Sequence, residues 1–234
     1  MDKRAVSDHF DRIAGEYDGW KARASYYYDL LTEIYRELIP EGGVVLEIGC
    51  GTGTLLSRMK PRRGMGVDIS PRMIEIASRK YPEYEFRAED AAALTVREQF
   101  EYVMLPDVIE HLPDVRAVFS SIHGACGDGS RVVVTCVNPL WAPVLHLAER
   151  LGMKMPEGDH RWLSKRELAE AALSGGFDLL SCFGRILLPK KVPGLSGWLN
   201  ALPQRFHRLF PVCLVHVYVF GKILSQGASP ARIG

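Results

Sequence analysis

The 234-residue sequence predicts an α/β fold built on a mostly parallel sheet, and two observations carry that reading. Short Val/Ile-rich runs alternate with helix-like stretches through the middle of the chain, as repeated strand–helix–strand units require. A glycine-rich turn, Gly49-Cys-Gly-Thr-Gly53, follows directly on the first of those runs. That is where open α/β sheets place a ligand-binding crevice.

The elements follow in order. Ser7 to Leu38 carries apolar and aromatic residues at helical spacing, Tyr28, Leu31, Tyr35 and Leu38 among them, which predicts one or two helices ahead of the sheet. Gly43–Ile48 reads as the first strand and Gly51–Lys60 as the helix after it. A second strand spans Gly64–Asp68. The next helix starts at Ser70, whose hydroxyl can cap it ahead of Pro71 at the first helical position. Tyr84–Ala88 and Tyr102–Leu105 are the third and fourth strands. Asp107–Leu112 is a short helical turn, Val115–His123 a helix, and Arg131–Val137 a β-branched fifth strand. Ser164 and Glu167 stand in the capping-box relation at the start of a helix that Gly175-Gly176 ends. Two strands follow, around Phe177–Ile186 and Cys213–Ile223. Between them Leu195, Trp198, Leu199, Leu202, Phe206, Leu209 and Phe210 recur at helical intervals opposite Asn200, Arg205 and Arg208, with Pro203 set to break or kink the helix. Residues 225–234 carry turn formers without a pattern and read as a frayed tail.

Composition narrows the function classes. Hydrophobic residues make up 47% and charged residues 24%, which suits a soluble globular domain rather than a disordered or fibrous chain. Without a run of membrane-span length or an apolar leader, the expected location is cytoplasmic. Five scattered cysteines without a C-x-x-C pair argue for buried, reduced thiols and against structural zinc, so no metal is expected. The near-neutral net charge of +1 hides an asymmetry. All 28 acidic residues precede Leu179, whereas Arg185, Lys190, Lys191, Arg205, Arg208, Lys222 and Arg232 follow it. One reading of residues 194–210 is a solvated basic face over an apolar cap on the last two strands. The other is an amphipathic segment that touches a membrane surface. No basic stripe interleaved with aromatics appears, so nucleic acid is not an expected partner.

The glycine turn decides the ligand class. A dinucleotide fingerprint needs G-x-G-x-x-G and a free helix amino terminus for pyrophosphate. Here the spacing is G-x-G-x-G over Gly49, Gly51 and Gly53, and Glu47 stands two residues ahead of it. A carboxylate there repels phosphate and favours a ligand bearing an ammonium or sulfonium. Asp68 closes the second strand, where a carboxylate accepts from both hydroxyls of a ribose. Asp90 closes the third, placed to accept from an exocyclic adenine amine. Glycine loop, ribose acid and base acid together describe S-adenosyl-L-methionine.

With Phe10-Asp-Arg-Ile-Ala-Gly-Glu-Tyr-Asp18, Asp107-Val-Ile-Glu-His-Leu-Pro-Asp114 and His160-Arg-Trp-Leu-Ser164 added to the loop, the sequence resembles the class I S-adenosylmethionine-dependent methyltransferases, in the small-molecule branch that includes the ubiquinone and menaquinone biosynthesis enzymes. The resemblance implies a Rossmann-like, seven-stranded sheet whose last strand runs antiparallel, with helices on both faces. It implies lid helices over residues 1–40, a methyltransferase domain over 41–224, and substrate-cap insertions near 138–161 and 187–211. Carried over by position, Gly49, Cys50, Gly51 and Gly53 form the cofactor loop, Asp68 holds the ribose, Ile69 and Met73 face the adenine, and Asp90 with Ala91 meet its edge. Leu105 lies near the methionine moiety and Tyr17 closes over it. Glu101 stands where relatives usually have aspartate.

Each assignment has a plainer alternative. Tyr17 can simply pack the first helix on the sheet. Asp107 can cap the turn that follows it, or serve as a base. His111 can take a proton from an acceptor hydroxyl, or hold the loop by hydrogen bonding. The expected activity is transfer of the sulfonium methyl to an O, N or C nucleophile of a small acceptor, leaving S-adenosyl-L-homocysteine. Trp141, Trp162 and Trp198 in the two insertions predict a hydrophobic or aromatic acceptor. Rival readings are a non-catalytic S-adenosylmethionine-binding protein and a methyltransferase acting on protein or RNA. The absence of an N-P-P-Y-type tetrad after the fourth strand disfavours the latter.

Overall fold

The computed structural model describes residues 2–155 and 161–223; the readings placed on His160 and on the tail lie outside the described residues. Seven strands form one sheet: β1 Val44–Ile48, β2 Arg63–Asp68, β3 Glu85–Ala88, β4 Phe100–Pro106, β5 Cys126–Val137, β6 Phe177–Arg185 and β7 Val215–Lys222, in the order β3-β2-β1-β4-β5-β7-β6. β1 pairs in parallel with β2 and β4, β2 with β3, and β4 with β5. β7 runs antiparallel to both β5 and β6. The strand order reverses between β1 and β4, so their carboxyl ends open the crevice in which such sheets bind ligands.

Alternation along the strands supplies two cores. Leu46, Val103, Leu105, Val132 and Val134 face one side, where α5 (Val115–His123) and α7 (Lys165–Ser174) contribute Val118, Phe119, Ile122, Leu168 and Ala171. Val45, Met104, Val133 and Val217 face the other, against α2 (Ser25–Leu38) and α3 (Thr54–Met59) through Leu31, Ile34, Tyr35, Leu55 and Leu56. Both faces are covered, which is why the central strands read as nearly unbroken apolar runs.

Local capping behaves as the sequence predicts. Ser70 accepts from Met73 N–H and opens α4 (Pro71–Lys80). The reciprocal Ser164–Glu167 box opens α7. All five cysteines are free and four are buried.

Several boundaries differ from expectation, each for a physical reason. The first helix, α1 (Lys3–Arg23), begins before Ser7 because the Asp2 carboxylate accepts Arg4 N–H. α3 begins at Thr54 rather than Gly51, since Gly51 and Gly53 hold left-handed backbone. β5 starts at Cys126, ahead of the β-branched run, because Phe100 pairs with Cys126 across a register shift. Glu101 accepts Val44 N–H at 2.9 Å and thereby ties the start of β1 to β4.

α8 (Ser196–Arg205) runs through Pro203 and ends two residues later, giving way to a 3₁₀ segment at His207–Val212. The predicted apolar face divides: Leu199 and Leu202 are half-buried alongside Ser196, Asn200 and Pro203, while Leu195, Trp198 and Phe206 are exposed beside Arg205. Asn200 ties the helix to its surroundings: its Oδ1 accepts the amides of Leu187 and Leu188, and its Nδ2 donates to Leu188 O and the Tyr26 hydroxyl.

Phe119 is fully buried and meets Phe177 and Phe220 at ring-centroid distances of 5.8 and 5.3 Å. Phe119→Ala is expected to lower unfolding free energy by about 3–5 kcal/mol in urea titrations. A loss under about 1 kcal/mol would show that this cluster does not bear on stability.

Candidate functional site

The site is built at the carboxyl ends of β1, β2, β3 and β4. Beyond β1 the chain turns through Gly49, and the amides of Gly49 and Cys50 both donate to Val67 O at the end of β2. Gly49 has φ 72°, and a Cβ there would lie 2.4 Å from a Val108 methyl. At Gly51, φ is 52° and a Cβ would lie 2.9 Å from the Tyr17 ring. No side chain fits either position, so main chain is what the loop presents. Gly53 ends the loop at the amino terminus of α3.

Two carboxylates hold the loop. Asp68 Oδ2 accepts Gly51 N–H at 2.8 Å, and Oδ1 accepts Ser70 N–H at 2.9 Å. Each oxygen keeps a lone pair for a further donor, as two ribose hydroxyls would need. Burial raises the Asp68 carboxyl above its ordinary value, and the two amide bonds oppose that. Glu47 lies beneath the loop, almost wholly buried, with Oε2 accepting Leu56 N–H in α3 at 2.9 Å. Burial pushes its carboxyl up to about 8, opposed by the charge of Lys21 and the Leu56 bond. Cys50 is buried beside them, its thiol pushed well up by the same desolvation.

α1 closes over this end of the sheet. Ser7 Oγ donates to Ile69 O, and Asp11 accepts from Ser70 Oγ and from Arg72 N–H, capping α4 from outside. Asp18 accepts from Thr52 and from Lys80, both at 2.6 Å. Burial would raise the Asp18 carboxyl, but these bonds outweigh it and hold it below the usual range. Asp90 caps the turn Ala91–Ala93 through Ala92 N–H and pairs with Lys3 of α1. Those contacts outweigh the desolvation of Asp90 and lower its pKa. Lys21 Nζ stands 4.6 Å from the Tyr17 ring centroid and 4.8 Å from that of Tyr28, in cation–π geometry, and its charge acts on both Glu47 and Asp68.

The predicted residues therefore fall into three groups. Tyr17, Glu47, Gly49, Cys50, Gly51, Gly53 and Asp68 gather at one loop. Ile69 and Met73 sit at the entry to α4, Met73 fully buried, while Asp90 and Ala91 lie at the end of β3. Leu105 is fully buried near the end of β4. In the segment after β4, Asp107 does not cap the following turn, because Val108 takes the cap position without a side-chain bond. Asp107 has φ 47° and accepts from the hydroxyls of Tyr27 and Thr135. His111 is buried, its ring 5.5 Å from Phe10 of α1 in an edge-to-face pair. Reading the sequence missed Lys21, Tyr27 and Thr135. Tyr27 adjoins Tyr28 in a helical aromatic run, so its hydroxyl partner across the fold left no local signature.

The residues fit S-adenosylmethionine on two grounds: a loop whose Cβ positions are filled by other side chains, and an acidic pair, Glu47 buried and Asp68 half-buried, already exposed to the field of one ammonium. Glycine loop, β2 acid and β3 acid on this sheet define a class I S-adenosylmethionine-dependent methyltransferase. The family model described as a methyltransferase domain matches residues 20–182, and the chain belongs to that family. It is similar to ubiquinone biosynthesis O-methyltransferases, with 27% identity to that of Coxiella burnetii over 168 residues, covering 66% of this chain and 71% of the relative. Against the Azoarcus enzyme of the same name identity is 28%, covering 66% and 73%. In fold it resembles a Thermotoga maritima S-adenosylmethionine-dependent methyltransferase (TM-score 0.71, 20% identity, 93% of this chain and 99% of that one). It also resembles the Synechocystis magnesium protoporphyrin IX methyltransferase solved with S-adenosylhomocysteine (TM-score 0.61, 16% identity, 95% and 100%).

Glu47 couples the fold to pH. Its folded pKa of about 8 lies above the ordinary 4.5, so folding favours the protonated form. That contribution is complete below about 4.5 and disappears as pH rises through about 8. The Tm of the ligand-free protein should therefore fall across this window by more than that of Glu47→Gln. Parallel pH–Tm curves for the two proteins would refute the assignment.

Proposed function

We propose that this methyltransferase acts on a hydroxyl of a small apolar or aromatic acceptor, held between α1 and α2 on one side and the carboxyl ends of β4 and β5 on the other. The observation that carries the proposal is the chain of polar contacts from Tyr27 of α2 through Asp107 to Thr135 of β5, with Asp107 in the same loop as His111 and Phe10 of α1 packed on the His111 ring. A hydroxyl nucleophile must lose its proton, and the loop after β4 offers two groups for that. Asp107 has both oxygens bound to protein hydroxyls and acts as the group that orients Tyr27. His111 is the proton acceptor, since a neutral imidazole carries one unprotonated ring nitrogen. The names of the curated relatives support an oxygen nucleophile.

S-adenosylmethionine, when bound, supplies a methyl group on an activated sulfonium. Gly49, Gly51, Glu47 and Asp68 would hold it, with Ile69, Asp90 and Ala91 around the base. The protein's own task is alignment and exclusion of water. Tyr17 over Gly51 and Phe10 against His111 close the site from α1. Alignment of reacting groups contributes up to about 7–11 kcal/mol in well-oriented systems, so one proton acceptor is the most that the chemistry asks of a side chain. Trp198 does not line the acceptor site, being 62% exposed. Trp141 is half-buried and donates its indole N–H to Val212 O.

Asp68→Ala should abolish measurable S-adenosylmethionine binding in calorimetry; an unchanged Kd would refute the ribose role. His111→Ala should lower kcat by about 100-fold or more while the cofactor Kd stays within about twofold. A near-normal rate would make His111 a packing residue. With radiolabelled methyl donor and a cell extract, label is expected in the small-molecule fraction and extractable into organic solvent. Label in polymer would instead favour a protein or RNA acceptor.

A further inference from the structure

The two insertions carry apolar surface that the methyl-transfer site does not use. In the first, Leu140, Val144, Leu147 and Leu151 recur at intervals of four, three and four residues along α6 (Ala142–Arg150) and the residues just outside it, and all four are exposed, Leu147 by 57%. α6 has no buried residue at all. In the second, Trp198 of α8 is exposed in line with Val192 and Leu195 just ahead of the helix and Phe206 just after it, while Leu199 and Leu202 are half-buried. The two insertions are joined at their roots. Asn138 Nδ2 donates to Pro211 O and Cys213 O, both at 2.8 Å, and Trp141 Nε1 donates to Val212 O.

Charge identifies what such a surface meets. Lys190, Lys191, Arg205 and Arg208 are exposed around the second stripe, Arg150 is exposed on α6, and no acidic residue occurs from Leu179 to the end of the sequence. A monomeric soluble protein seldom displays apolar stripes of this kind, and a basic rim suits an anionic apolar layer. Trp198, with its apolar ring and indole N–H, is an anchor of the type that settles at a lipid headgroup boundary, and Phe206 adds a purely apolar ring.

We propose that α6 and α8 together form a docking surface for a bilayer carrying anionic lipid, with the apolar stripes entering the acyl boundary and the basic residues contacting headgroups. No helix among the described residues is long and apolar enough to cross a membrane, so the contact is peripheral. It stands apart from the acceptor assignment, because vesicle association requires no turnover.

The test is sedimentation with vesicles of phosphatidylglycerol in phosphatidylcholine, and with phosphatidylcholine alone. The protein should associate with the first, weakening as salt is raised, and the tryptophan emission should shift to the blue in wild type but much less in Trp198→Phe. Replacing Arg205 and Arg208 together by Gln should lower the partition coefficient on anionic vesicles by about 20- to 30-fold, each cation near the surface counting for about fivefold. Leu147→Asp with Trp198→Asp should abolish association while leaving S-adenosylmethionine affinity unchanged, which shows that the variant is folded. Absence of vesicle binding, or equal binding by the Arg205/Arg208 variant, would overturn the proposal. So would a stable dimer in sedimentation velocity that the Leu147/Trp198 variant dissociates, since a second copy would then cover this face.

Discussion

The structure depends on a carboxylate held by main-chain amides. Asp68 binds Gly51 N–H with one oxygen and Ser70 N–H with the other, so a single side chain joins the loop after β1 to the turn after β2. Glu47 repeats the device below, taking an amide of α3. Neither residue can be exchanged for an apolar one without leaving buried N–H groups unpaired, which is costly in a site this dry. The arrangement presents bare backbone beside the Asp68 carboxylate, with Glu47 held largely in its protonated form beneath the loop by burial.

Burial and catalysis are linked through α1. Its polar residues reach the loops beyond β1, β2 and β3 and both ends of α4: Ser7 to Ile69, Asp11 to Ser70 and Arg72, Asp18 to Thr52 and Lys80, Lys3 to Asp90. Several of these pairs are partly exposed and individually contribute under about 1 kcal/mol. They act by placement rather than strength, since Tyr17 and Phe10 are delivered to Gly51 and His111 by the same helix. A helix attached by weak polar contacts can leave and return, as the proposed closure of Tyr17 over a bound cofactor would require.

The insertions show the same chain meeting two demands. Asn138 and Asn200 spend their amide groups on neighbouring backbone, which anchors the first insertion to the 3₁₀ segment ahead of β7, and α8 to the strap beyond β6. Leu145, Leu199 and Leu202 are half-buried beside these anchors, and the remaining large apolar residues of the two helices are left outside.

Local and short-range physics made much of this protein readable in advance. Strand alternation, the Ser70 and Ser164 caps, the glycine spacing and the acids two residues before the loop and at the ends of β2 and β3 are contained in the order of residues, because each depends on neighbours within a few positions. What only the tertiary structure decided depends on residues far apart in sequence. Asp107 looked like a cap, yet Tyr27 and Thr135 claim it across 80 and 28 positions. Lys21 has no local signature, because Tyr17 and Tyr28, whose rings it faces, meet it only in the folded chain. The 195–210 segment has a helical period, but which of its apolar residues are covered was decided in the fold, where Leu199 and Leu202 are half-buried and Trp198 exposed, and where Asn200 satisfies backbone groups of residues 187 and 188 that periodicity does not register.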